Sequence, residues 1–585
     1  MINLRQMTIH RMYFSFSAGF STCVFICFLL VSCSEKPPLG LHDEVNPFIG
    51  TGGHGHTYPG ATAPFGMVQL SPDTRLTGWD GCGGYHYSDT AIYGFSHTHL
   101  QGTGVSDYGD ILFMPCTQFK ANSDSWPERY KSKFSHDSEK ASAGFYAVDL
   151  IDHGIHVELT TTPRVGIHRY RLEQPDTLTL VVDMNHRDEL VHYSIYPLDD
   201  TTLVGHRVSD NWAREQHVYF AARFDRPFEW RDQLTEMSDL GFDDTGKLLK
   251  EVEYVPVFAC DFGVIDELNS RVGLSFVSIE GALQNLEFET PVSDFDYYKD
   301  QAADAWDEQL STAVAEGGSD DERKKFYTAL YHCFTTPNVA SDVDGQYRGT
   351  DLSVHQLAQD DGLHYTVFSL WDTYRALHPL LNWLEPVRSR DFIRTMLRMY
   401  KQGGQLPVWE LAANYTGCMI GYHSVPVIAD AKTWGISGFN QSLALEAMVQ
   451  AADSLHLGLP AYKANGYISL DEEHESVSKT LEYAFDDACI ASFAKGIASS
   501  QEEEVARDTI EISSIFQNRA LSYRNLFNVE TGFIQPKKGG AWLANFEPRE
   551  VNFNYTEANG WQYNFYVPHD ISGHIQLLGG PENYE

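Results

Sequence analysis

Ser319-Asp320-Asp321-Glu322-Arg323-Lys324-Lys325-Phe326-Tyr327-Thr328-Ala329-Leu330-Tyr331-His332-Cys333 is where the chain settles into a new period. Ser319 and Glu322 have the spacing of a capping box, and Phe326, Leu330 and Cys333 then fall at i, i+4 and i+7, which predicts a helix burying those three. Further helices are predicted near 370–380, 388–402 (stopped by Gly403-Gly404), 440–456 (capped by Asn440), 476–496, 502–527 and 566–579. Upstream of about residue 290 the period is two. Ile155, Val157 and Leu159 alternate with polar residues, as do Leu178, Leu180 and Val182, and Gly, Pro, Asn and Asp cluster between such runs. The predicted fold class is therefore multidomain β plus α. An antiparallel β-sandwich covers 43–290, a linker helix 291–318, and a helical domain 319–585. No short fixed-period repeat is present, which argues against a regular solenoid.

The 585-residue length implies more than one buried core. Lys and Arg total 42 against 80 Asp and Glu, a net charge of −38 that repels nucleic acid and anionic surfaces and suits a neutral or cationic ligand. Aromatic residues make up 13% of the chain, and their flat apolar faces either fill cores or stack on sugar rings. Arg5 and Arg11 precede an uncharged apolar run from Phe14 to Val31, and Leu30-Val31-Ser32-Cys33 has the form of a lipobox. Residues 1–32 then read as a lipoprotein signal peptide, Cys33 as the lipidated residue, and 33–42, with Pro37, Pro38 and Gly40, as a tether. The competing reading is an uncleaved N-terminal anchor. Either way the protein is exported and held to a membrane, with periplasmic and cell-surface placement both open. Of nine cysteines, the six outside the signal (Cys82, Cys116, Cys260, Cys333, Cys418, Cys489) form no C-x-x-C pair, so neither a zinc ribbon nor a thioredoxin-type site is indicated.

Asn46-Pro47-Phe48-Ile49-Gly50-Thr51-Gly52-Gly53-His54-Gly55-His56-Thr57-Tyr58-Pro59-Gly60-Ala61 is too rich in Gly for a strand interior and reads as an ordered loop. Gly78-Trp79-Asp80, Gly83-Gly84-Tyr85-His86-Tyr87-Ser88-Asp89 and Gly94-Phe95-Ser96-His97-Thr98-His99-Leu100-Gln101-Gly102-Thr103-Gly104 follow. So many polar and flexible residues within sixty positions are costly as scaffolding, which favours a site surface. His97-x-His99 has the spacing of a same-face pair, but no third soft ligand lies near in sequence, so a hydrogen-bonded polar network is preferred to a transition metal.

The run Val45–Met114, with these blocks, resembles the N-terminal domain of glycoside hydrolase family 92. Later blocks agree in order: Asp342-Val343-Asp344-Gly345, Phe368-Ser369-Leu370-Trp371-Asp372-Thr373-Tyr374-Arg375-Ala376, Gly421-Tyr422-His423, Ile428-Ala429-Asp430-Ala431 and Tyr555-Thr556-Glu557-Ala558-Asn559-Gly560-Trp561-Gln562-Tyr563. The resemblance implies exo-cleavage of terminal α-mannose from mannose-containing glycans, with inversion and with Ca2+ engaging the sugar hydroxyls. Inversion needs one carboxylic acid to protonate the leaving oxygen and one carboxylate to activate water, roughly 6.5–9.5 Å apart. By resemblance Glu557 is the acid, Asp372 a residue that hydrogen-bonds the terminal mannose, and Trp79 a sugar-contacting ring. The plainer readings are a turn Glu, a carboxylate paired to Arg375, and a core Trp. Helical-toroid lyases and phosphorylases share the layout but not these blocks.

The β-first, helix-second order also occurs in sugar-processing enzymes with an (α/α)6 toroid. Fewer helices are legible after Ser319 than a closed toroid contains, so the toroid is expected to be incomplete in this chain. The family pattern runs past Val567-Pro568-His569-Asp570 into a G-N-E-P segment and an Asp-rich segment that carry the base and much of the calcium shell. Neither occurs here, which leaves the metal ligands unassigned and implies weak turnover by these 585 residues. The alternative is a lipid-anchored glycan-binding protein without catalysis. Glu at 557 favours a sugar leaving group over a phosphate one, and α-1,2 linkages are the expected preference.

Overall fold

A computed structural model of the chain describes residues 40–120, 125–232, 256–455, 457–498 and 503–584, with the side chains of 503–506 excepted. The expected signal peptide 1–32, the expected lipidation site Cys33 and the expected tether up to Leu39 lie outside the described residues. The last tether positions are folded. Leu41 and His42 belong to the one-turn helix Leu41–Glu44, where His42 bonds Asp307 through its backbone amide at 2.7 Å and Glu44 pairs with Arg323 at 2.8 Å.

The first half is an antiparallel sheet of thirteen strands. Its spine is a pair of 19-residue strands, Val165–Asp183 and Val257–Ser275. Their register slips between Arg171 and Asp176 and again between Thr177 and Thr179, around Pro175. Proline cannot donate to a ladder, and an irregularity of this kind bends a strand. Each half of the bent strand Val165–Asp183 therefore finds a different neighbour. Residues 166–172 pair with Ile155–Thr161, while 179–183 pair with Leu112–Cys116. Ile155, Val157, Leu159, Leu178, Leu180 and Val182, the residues that set the period-two pattern, are all buried in one core.

The sheet ends at Ser275, and helix Ile279–Glu289 follows, capped by Ser278 accepting from the Gly281 amide. Helix Phe295–Leu310 fills most of the segment expected to link the two halves. It is a packed element: Trp306 is fully buried and its indole N–H donates to the Thr62 carbonyl at 2.7 Å. Backbone bonds from Phe65 N to Phe334 O (2.7 Å) and from Val339 N to Phe65 O (2.9 Å) fasten the sheet region to the helical one.

Helix Asp320–Cys333 has its Ser319–Glu322 capping box, but its buried face is turned by one residue from the expected one. Tyr327, Leu330, Tyr331 and the following Phe334 are buried, whereas Phe326 is 40% exposed. The two tyrosines carry apolar ring area inward, so the stripe runs 327, 330, 331, 334 rather than 326, 330, 333. Gly404 closes helix Pro386–Gly403 at φ +77°, and Asn440 caps Gln441–Asp453 at 3.0 Å from the Leu443 amide. The stretch expected as one helix over 370–380 is two, Leu370–Thr373 and Leu377–Leu384. Likewise 502–527 ends as an α-helix at Arg519, before a 3-10 turn Ser522–Leu526. Helix Ser424–Thr433 was not predicted. Its run Val425-Pro426-Val427-Ile428 is buried throughout and shows no 3.6-residue period. At the centre lies Ser476–Ala498, buried nearly all round, with Lys479, Glu482, Asp486 and Asp487 among its buried residues. Among the described residues no helix is long and apolar enough to cross a membrane, and the six described cysteines are free.

Candidate active site

Glu557 is held outward by its neighbours. Tyr555, Thr556 and Ala558 are buried, with Tyr555 Oη donating to the Ile534 carbonyl at 3.0 Å and the Thr556 amide donating to Ser478 Oγ at 2.8 Å. Asn559 and Gln562 form a capping box that starts helix Gly560–Asn564 two residues later. Between these anchors Glu557 takes φ +49°, a left-handed conformation that costs a non-glycine residue about 1–2 kcal/mol. Glu475, just before the central helix, does the same at φ +54°. Its amide donates to the Phe553 carbonyl at 2.6 Å, and the Val477 amide to that of Asn554 at 3.2 Å. These bonds lay the 553–557 segment along the start of the central helix and bring the two glutamates together.

Asp372 joins them from the one-turn helix Leu370–Thr373, which follows a strand pairing Phe368–Ser369 with Trp409–Leu411. Its carboxylate accepts the Ser369 hydroxyl. It does not pair with Arg375, whose guanidinium turns to Glu482 at 3.5 Å and lies over the rings of Trp371, Tyr374 and Tyr566. Partial burial raises the Glu557 carboxyl above the usual range, and the negative charges of Asp372 and Glu475 raise it further. Cys418 reports the same convergence. Burial raises its thiol most, followed by Glu557, Asp372 and Glu475. A carboxyl that resists ionisation while open to solvent is suited to donating a proton.

Beneath this surface is a buried polar hub. Glu482 accepts Tyr563 Oη at 2.9 Å and Trp371 Nε1 at 3.2 Å on one oxygen, and pairs with His423 Nε2 at 2.6 Å on the other. His423 Nδ1 donates to Asp486 at 2.8 Å, and Tyr374 stacks on the imidazole at 4.1 Å. Burial alone lowers the His423 pKa, but Asp486 and Glu482 outweigh it and hold it at about 9. The hub thus ties the segments around Asp372, His423 and Glu557 to one helix. Sequence reading missed it, although acids at 482, 486 and 487 in a helix otherwise rich in apolar and small residues were a signal, because buried carboxylates need partners. Glu475 and Cys418 carried no such signal.

Trp79 lies in the sheet region on a 3-10 turn, Trp79–Gly81, and is 60% exposed. The plain reading as a core Trp does not hold. The ring meets His56 edge-on at 4.8 Å and covers Gly104, where a Cβ would stand 2.5 Å from it. The Gly104 loop also sends Leu100, Val105 and Tyr108 into a cluster with Val367, Trp409, Leu411 and Ala412, against which Cys418 and Met419 pack. Trp79 therefore rests on the loop that reaches toward the carboxylates. Among the described residues no ring contact or hydrogen bond joins it to Asp372 or Glu557. His97 and His99 are hydrogen-bonded network residues. His97 bonds Ile111 O and His168 Nε2 at 2.6 and 3.0 Å, and His99 bonds Gln69 O and Ser96 Oγ at 2.9 and 3.2 Å. Among the described residues Asp372, Glu475 and Glu557 do not form a set of three within metal-coordination reach of one another; His54, His56 and Asp80 do.

Residues 44–275 match the model of the glycosyl hydrolase family 92 N-terminal domain, and residues 281–585 that of the family 92 catalytic domain. A family GH92 α-mannosidase of Bacteroides thetaiotaomicron, also solved with mannoimidazole, is 35% identical, with a TM-score of 0.83 over 93% of this chain and 73% of its own. A family GH92 inverting mannosidase of Bacteroides thetaiotaomicron VPI-5482 is 29% identical, with a TM-score of 0.82 over 94% and 73%. A protein of Arthroderma benhamiae described as an uncharacterized secreted glycosidase is 25% identical over 92% of this chain and 72% of its own length.

Proposed function

This chain belongs to glycosyl hydrolase family 92, and from that membership we propose that it is an exo-α-mannosidase acting on mannose-containing glycans. The observation that carries the reading is Glu557, an exposed carboxyl raised by partial burial and by two neighbouring charges. Glu557 protonates the glycosidic oxygen as the bond to the leaving sugar breaks, and Asp372 accepts hydrogen bonds from hydroxyls of the terminal mannose. Trp79 offers the apolar ring face against which a sugar can lie. Configuration inverts, which requires a second carboxylate to activate water. The water's proton passes to that carboxylate, which is neither Asp372 nor Glu475 and has no assigned residue here. The mannosidase relatives and the mannoimidazole complex of one of them support the sugar assignment.

Calcium belongs to this reading through the family. A hard cation wants several oxygen ligands, and no described carboxylate set supplies a ready cage. Cys33 is proposed as the lipidated residue of an exported protein, supported by the lipobox and by the secreted relative.

The test is α-1,2-mannobiose incubated with the purified chain, with anomers followed by NMR. The reading expects slow release of mannose, first as the β-anomer, still slower release from α-1,3-mannobiose, loss with EDTA and recovery with Ca2+. It also expects Glu557→Gln to lose most of the release. Mannose bound but never released would favour a non-catalytic glycan-binding protein. Cys33→Ser is expected to move the protein from the membrane to the soluble fraction.

A further inference from the structure

The loop that begins the sheet region holds a group of side chains that the mannosidase reading does not use. His56 is buried, its side chain 4% exposed, at φ +54°. Its Nδ1 donates to the Thr103 carbonyl at 2.7 Å, which fixes the tautomer and leaves Nε2 with a lone pair. That Nε2 is buried without a hydrogen-bond partner and lies 3.8 Å from Asp80 Oδ1. A buried acceptor left open in this way costs on the order of 1–3 kcal/mol unless something fills it. His54 Nδ1 stands 2.6 Å from the same Asp80 oxygen, and the three ligating atoms lie within 4.8 Å of one another.

We propose that His54 Nδ1, His56 Nε2 and an Asp80 carboxylate oxygen bind one divalent transition-metal ion of the zinc class. Two imidazoles and one carboxylate suit a borderline cation and not calcium, which takes oxygen donors. Bonds of about 2.0–2.1 Å to such an ion place tetrahedral ligands about 3.3 Å apart, between the 2.6 and 3.8 Å seen here. The needed movement falls on His54, whose side chain is 79% exposed and which follows Gly53 at φ +61° with open space around it. His56 is the fixed ligand. Its Nδ1–H···O=C bond to Thr103 is the outer-sphere contact that metal-ligating histidines require. Arg75 approaches Asp80 through the other oxygen, at 4.0 Å, and leaves Oδ1 free for the ion. With three protein ligands and His54 at the surface, a further coordination position faces solvent. A bound ion would also lock the imidazole that meets the Trp79 ring at 4.8 Å.

The experiment uses the full chain, stripped with EDTA and dialysed, titrated with Zn2+ against a chromophoric chelator and separately with Co2+ followed by visible absorption. One equivalent is expected to bind in both, with Tm rising as free Zn2+ increases past the dissociation constant. Because His54 is exposed, His54→Ala keeps the fold; it and Asp80→Asn are each expected to weaken binding by at least 10–100-fold and to abolish the Co2+ spectrum. Calcium alone is expected to give no signal that these variants remove, which separates this site from any calcium requirement for mannose release. Absence of a stoichiometric ion, or binding unchanged in both variants, would overturn the proposal whatever the outcome of the mannosidase assay. In that case the three side chains are only a hydrogen-bonded cluster.

Discussion

The outer carboxylates Asp372, Glu475 and Glu557 and the inner ones Glu482, Asp486 and Asp487 are the same chemical groups in opposite settings. The inner three are fully buried, and each faces an imidazolium, a guanidinium or a tyrosine hydroxyl. Asp487, for example, accepts Tyr422 Oη at 2.7 Å and pairs with Arg519 at 3.0 Å. The outer three lie at or near the surface, where partial burial and then the charges of Asp372 and Glu475 make Glu557 retain its proton more readily than a free glutamate. Pairing turns carboxylates into positioning elements, whereas partial burial beside two further negative charges makes Glu557 a proton donor. Reactivity and rigidity are thereby assigned to different layers, which approach to within seven residues in the chain at Glu475 and Glu482.

The sharpest way to break this contrast is to exchange charge for amide in each layer. Glu557→Gln is expected to lower kcat/KM on an α-mannoside about 10²- to 10⁴-fold with Tm nearly unchanged, measured by steady-state kinetics and thermal unfolding. A large Tm loss would place Glu557 in the structural layer instead. Glu482→Gln is expected to do the reverse in stability, costing roughly 3 kcal/mol because it leaves buried His423 with one counter-charge and its other donors poorly matched. Denaturant unfolding at pH 7 measures it. A neutral result would mean that the hub does not hold the site together.

A pH series tests the inner layer next. The folded His423 pKa, about 9, lies above the roughly 6.5 of a free imidazole. Its contribution to stability is whole below about pH 6.5 and is lost as pH rises to 9 and beyond. Tm is expected to fall across that window in the parent and to fall less in Asp486→Asn. The smallest effect belongs to the outer layer. Asp372 raises the Glu557 carboxyl, so Asp372→Asn is expected to move the alkaline limb of the pH–activity profile toward lower pH, besides weakening substrate binding. An unmoved limb would show that the two charges do not interact.

The period-two alternation of Ile155–Leu159 and Leu178–Val182, the capping box at Ser319 and the Gly404 and Asn440 helix ends were readable locally, because each depends on neighbours a few residues away. So was the family, because its blocks appear in order. The facing of helix Asp320–Cys333 was misread, since amphipathic tyrosines at 327 and 331 obscure which stripe is apolar. Helix Ser424–Thr433 left no periodic trace because it is buried on nearly all sides.

By itself the sequence determined the β-then-α order, the excess of acid and the identity of Glu557, Asp372 and Trp79 as residues worth testing. Only the tertiary structure decided that Glu475 stands with Asp372 and Glu557, that Glu482 and His423 bind three distant segments to one helix, and that His54 and His56 face Asp80. The reason is physical. Spacing along a chain encodes which side of an element a residue occupies, but charges and ligands act through distances that long-range packing alone sets.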